Sequence, residues 1–233
     1  LLRFGWGLAA GLVITSPAVV TAGFFRVNSL VVMGLATFAA LLAPAAGGSW
    51  PLPAAAAVAA WMASVAWLGE KRRAGLVLGA ATALLLATAT ILVVPRAAGA
   101  TSAVDRLVSG LVVGLTVHAM LLGHWYLNAP GMSVAALRGA VGQALVAWGS
   151  GLAVAAVGAA ATPAATLRAA DSATLALLAL RWLAGLLGLP ILLVMARKTL
   201  DIPNTQSATG ILYVACLAAI LGELTAQLLA AAT

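Results

Sequence analysis

Two histidines, His118 and His124, are the only imidazoles in the 233-residue chain, and they stand six positions apart in one apolar run. An imidazole in that setting can ligate haem iron, hydrogen-bond a quinone carbonyl, or tie one helix to the next. Six helical residues turn the chain by about 600°, which leaves the rings about 120° apart in azimuth and about 9 Å apart along the axis. The pair therefore cannot clamp one iron. A haem b would need a methionine such as Met120, Met33, Met62 or Met195, a five-coordinate iron, or a histidine from another subunit. Trp125, Tyr126 and Asn128 follow closely on His124. An imidazole, an indole N–H, a phenol and an amide supply the donors and the stacking ring that a quinone head uses. The same rings also settle at the membrane–water interface simply because they are amphipathic. His118, His124, Trp125 and Tyr126 are the expected cofactor-binding residues for a quinone or haem b, with His118 and His124 as the candidate axial ligands.

Charges inside apolar runs form the second set. Arg181 stands about nine residues into one run and Glu223 about seven residues from the far end of the next, so in antiparallel helices they reach similar depth. They are expected to pair, either as a structural lock between two helices or as an anion or proton site, with Asp105 and Arg106 extending the cluster.

The elements that carry these residues follow from composition. Hydrophobic residues make up 64% of the chain and charged residues 7%, with a mean hydropathy of +1.14. No water-soluble domain of this size carries that balance, and the runs are continuous, unlike the alternating segments of a barrel. The expected fold is all-α: a polytopic integral membrane protein of eight transmembrane helices in a bundle, near residues 4–25, 28–46, 53–69, 74–95, 104–127, 134–160, 172–196 and 207–231. Residues 1–233 form a single transmembrane domain. The first run, from Leu8 to Phe25, is read as a span, being longer than a signal-peptide core and lacking a clear A-x-A site.

A slide of 100 positions lays Gly23 to Asn28 on Gly123 to Asn128, which suggests a parallel repeat of four plus four helices with halves 1–100 and 101–233. Gly7 and Gly11, Gly75 and Gly79, and Gly110 and Gly114 have the spacing of close helix crossings. Pro17, Pro95 and Pro190 read as kinks or stops. Thr205 or Ser207 is the expected cap of the last span.

The net charge of +7 is spread in ones to threes between spans, so it orients the chain and forms no nucleic-acid patch. Arg26, Lys71, Arg72, Arg73, Arg138, Arg197 and Lys198 fall on one face; Arg3, Arg96, Arg106 and Arg168 fall on the other. That bias puts the first face in the cytoplasm and both termini outside, in a prokaryotic inner or plasma membrane. The one cysteine, Cys216, excludes an internal disulfide and a CxxCH haem attachment.

No phosphate loop, nucleophile with base and acid, or carboxylate cage appears, so hydrolytic or phosphoryl-transfer chemistry within the chain is not expected, and the lack of extramembrane mass suggests that any catalytic domain is a separate chain. The leading expectation is a membrane-anchor subunit of an electron-transfer or respiratory complex, in contact with the lipid bilayer and with other protein subunits. A small transporter or permease is the alternative, and a scaffold, assembly or pigment-binding membrane protein is the third.

Overall fold

The structure, a computed structural model, describes residues 1–93, 99–129, 131–161, 171–202 and 204–231. Among these the regular structure is helical: α1 (Leu2–Ile14), α2 (Ala22–Leu42), α3 (Pro51–Leu68), α4 (Arg72–Leu92), α5 (Gly99–Asn128), α6 (Val134–Ala161), α7 (Ser172–Thr199) and α8 (Thr205–Ala231). Helices α2 to α8 are the seven long and apolar enough to cross a membrane. Their ends carry the expected signals. Pro51 opens α3 where its missing N–H costs nothing, and Asp171 caps α7 by accepting a hydrogen bond from the Thr174 amide at 3.0 Å. The cap of α8 is Asn204, whose Oδ1 accepts from the Ser207 amide at 3.0 Å, and neither Thr205 nor Ser207 fills that place.

The expected first span is corrected. Helix α1 has 13 residues, a length of about 20 Å against a hydrocarbon core of about 30 Å. It stops at Ile14, Thr15 is extended at φ −80° and ψ 127°, and residues 22–25 already belong to α2. Pro17 explains the stop: it offers no N–H to the Val13 carbonyl and disfavours helical geometry at Ser16. The charged Arg26, expected to lie between spans, is an exposed residue inside α2.

The chain nevertheless keeps one course from Arg3 to Thr21, running parallel to α5. Trp6 Nε1 donates to the Leu107 carbonyl at 3.1 Å, Thr15 meets His118, and Trp125 Nε1 donates to Thr21 Oγ1 at 2.9 Å. Gly7 makes this course possible. A Cβ there would stand 1.9 Å from the Gly110 carbonyl oxygen, and one on Gly114 would stand 2.2 Å from the Gly7 carbonyl carbon. The two backbones touch because neither side offers a side chain. At the start of this course Arg3 meets Glu223 of α8, so the two terminal segments lie at one face.

The proposed repeat does not relate equivalent places. Gly23 to Asn28 opens α2, whereas Gly123 to Asn128 closes α5. The two segments instead pack on each other, with the Phe24 and Trp125 rings edge to face at 5.9 Å. Pro95, Arg96, Pro130 and Arg168 lie outside the described residues.

Helix α7 departs from the α form. Residues Arg181–Gly188 are π-helical, between α-helical Ser172–Leu180 and Leu189–Thr199. The stretch from Ser172 to Gly188 buries no residue, while Leu189, Leu193 and Ala196 beyond it are buried.

Candidate functional site

Consecutive residues on a helix point about 100° apart, and α5 sends its candidate residues in different directions. Trp125 turns to the junction of α1 and α2, where its indole is held by Thr21. A Cβ on Gly23 would meet that ring at 3.1 Å. Tyr126 is buried, and its hydroxyl donates to the Ser133 carbonyl, pinning the connection from α5 to α6. His124 turns to α8 and stands exposed, with Nδ1 3.0 Å from the Tyr213 hydroxyl. The four expected cofactor residues therefore do not converge on one head group.

His118 is fully buried. Its Nε2 lies 2.7 Å from Thr15 Oγ1, and that hydroxyl also bonds the Gly11 carbonyl at 2.8 Å. A hydroxyl has one hydrogen, so with the carbonyl as acceptor the imidazole must donate, which assigns the Nε2–H tautomer. Nδ1 has no hydrogen-bond partner among the described residues. It lies against Gly11, where a Cβ would be 3.0 Å from it. Phe24 closes the ring edge to face at 5.6 Å. The imidazole thus ties α5 to the end of α1 through Thr15 and is enclosed by Gly11 and Phe24.

The expected pair of Arg181 and Glu223 is also corrected. Glu223 Oε1 accepts from Arg3 Nη1 at 2.6 Å and from Gln227 Nε2 at 2.7 Å. Arg3 also reaches Ser109 Oγ at 3.3 Å, one helical turn from Arg106. Arg181 makes no salt bridge among the described residues. The physical reason is the α7–α8 contact: Gly185 and Gly222 approach so closely that a Cβ on Gly222 would be 2.6 Å from the Gly185 Cα. Glu223, the next residue, points to α1, and Arg181 lies one turn further out. At the opposite face Arg138 Nη2 bonds the Leu200 carbonyl at 2.8 Å and Asp201 at 3.0 Å.

A separate small apolar cleft of about 20 Å³ lies between α1, α2, α3 and α4, with Ser29 and Thr82 among its lining residues. None of the candidate residues lines it. Among the described residues no group of three metal-ligating side chains occurs.

Sequence reasoning missed three partners: Thr15, Tyr213 and Arg3. Tyr213 is one of two tyrosines in the chain, which was the available signal. Thr15 carries none beyond its place before Ser16 and Pro17, and Arg3 counted only as an orienting charge. Comparison with protein-family models, with curated proteins and with solved structures finds no match for this chain.

Proposed function

We propose that this chain is the membrane subunit of an electron-transfer assembly and that it receives a quinone head at the His124–Tyr213 pair. One observation carries the reading: an imidazole and a phenol hydrogen-bonded at 3.0 Å on an exposed flank between α5 and α8. If Tyr213 donates to Nδ1, the Nε2–H of His124 is free; if Nδ1–H donates, the phenol hydrogen is free. In either state the pair keeps one donor for a carbonyl oxygen, and reversing its internal hydrogen bond turns that donor into an acceptor. A lipid-soluble quinone reaches such a pair laterally from the bilayer. His118 takes no part in this reading, and no haem is invoked.

The test is organic extraction of the gently purified protein, with the reduced-minus-oxidised spectrum of the same sample. About one quinone per chain, falling on His124→Ala and on Tyr213→Phe while the fold is retained, supports the reading. A quinone-free preparation that also fails to take up added short-chain quinone overturns it.

A second reading, a permease, is favoured by two departures from regular α-helix: the stop after Ile14, between α1 and α2, and the π-helical Arg181–Gly188 in α7. Transport folds break helices to expose backbone groups to a substrate. Solute or proton flux in proteoliposomes, abolished by His118→Ala with the fold intact, would favour it over the first.

A further inference from the structure

Arg181 is a cation inside a membrane-length helix, and an accounting of carboxylates shows what it lacks. The chain has five acidic residues. Glu223 is committed to Arg3 and Gln227, Asp201 to Arg138, and Asp171 to the Thr174 amide that it caps. Asp105 adjoins Arg106 on α5, and Glu70 lies in the turn between α3 and α4, on the face opposite Arg181. None of the five forms a salt bridge with Arg181. A charge at this depth is costly until an anion or water meets it, and no carboxylate among the described residues does so.

Depth and exposure say which anion. Sixteen residues separate Arg181 from Arg197, which marks the opposite face; at α-helical rise that is about 24 Å of a core about 30 Å thick, and the π-helical winding of Arg181–Gly188 shortens it somewhat. The Arg181 backbone therefore lies somewhat more than about 6 Å inside the boundary, a depth from which a long side chain snorkels toward the headgroup layer. Its neighbours face outward: Leu180 is 40% exposed, Trp182 45% and Leu183 65%. Trp182, the next residue, is an exposed indole at the same depth, the kind of ring that favours the headgroup level. Position is fixed from below, because the Gly185–Gly222 contact locks α7 to α8 one turn away. The same face carries Arg3 and Arg106, with Glu223 already spent.

We propose that Arg181 binds the phosphodiester of an anionic phospholipid in the leaflet at the face shared by the two chain ends. The planar guanidinium donates two parallel hydrogen bonds to phosphate oxygens, which a lysine ammonium cannot reproduce. The site is independent of the quinone reading.

Native mass spectrometry of the full chain, released from nanodiscs of phosphatidylcholine with or without phosphatidylglycerol, tests it. The expected result is one phosphatidylglycerol retained in preference to phosphatidylcholine, and about a tenfold loss of that preference in Arg181→Gln. Arg181→Lys, which preserves the charge, should fall between the two. Displacement of the lipid by inorganic phosphate would overturn the assignment to a lipid. So would a wild-type protein with no preference between the two lipids, a result that does not depend on whether Arg181→Gln folds. Unchanged preference in a folded Arg181→Gln would place the lipid elsewhere and overturn the proposal equally.

Discussion

The Nε2 of His118 lies 2.7 Å from Thr15 Oγ1, and this bond joins the end of α1 to the middle of α5. It meets two needs at once. The last carbonyls of α1 have no helical partner beyond Ile14, and a fully buried imidazole needs an acceptor for its N–H. The Thr15 hydroxyl serves both by donating to Gly11 and accepting from His118.

Thr15→Val keeps the side-chain shape and removes the oxygen, stranding the imidazole N–H. The expected loss is about 1–3 kcal/mol, read as a lower thermal midpoint in detergent, with Thr15→Ser close to wild type. Equal stability of the valine and serine variants would show that the hydroxyl is not the group holding His118.

Much of this was legible in the sequence, and the boundary of legibility is physical. Helices α3, α4, α6 and α8 lie near the expected spans because charges, Pro51 and Gly69 interrupt the apolar runs where the helices end. The first span was misplaced because no charge interrupts the run from Leu8 to Phe25, and hydropathy alone does not decide whether Pro17 kinks a helix or, as here, ends it. Pairings were less legible still. Arg181 and Glu223 match in depth, but depth does not fix azimuth, and the Gly185–Gly222 contact turns Glu223 toward Arg3. The same applies to His124, Trp125 and Tyr126: adjacency in sequence puts them on three sides of α5.

Gly7→Ala tests the close crossing of α1 and α5. The new methyl would meet a backbone carbonyl at 1.9 Å, and backbone cannot step aside as a side-chain tip can. A loss of about 3 kcal/mol is expected. Gly139→Ala is the control: nothing lies within 4 Å of its Cβ, so removing a helical glycine should add about 0.5–1 kcal/mol. Similar effects from both would contradict the crossing.

The Arg3–Glu223 bridge joins the first and last helices at 2.6 Å, with side chains 24% and 17% exposed. Glu223→Gln leaves the guanidinium without its charge partner and is expected to cost on the order of 3 kcal/mol. The double variant Arg3→Gln, Glu223→Gln should recover part of it, because the lone charge goes too. A double-mutant cycle in unfolding free energy measures this coupling, and strict additivity would mean that the two residues do not interact.

Asp171 makes the start of α7 sensitive to pH. It lies just outside the span, and the Thr174 hydroxyl, followed by the Thr174 amide, holds its carboxyl below the ordinary value of 3.8. The capped form is the charged form, so the cap contributes in full above the unfolded value and is lost as pH falls through the lower folded one. Since Ser172–Leu180 buries no residue, side-chain packing within the chain does little to replace the cap, and this end of α7 should open first. Hydrogen-exchange protection at Thr174 and Leu175, compared at neutral pH and about pH 3, should fall in acid. Asp171→Ala should show the low protection at both pH values, whereas Asp171→Asn, which caps without titrating, should hold it at both. Protection in the alanine variant that still fell with pH would mean that another group controls this helix end.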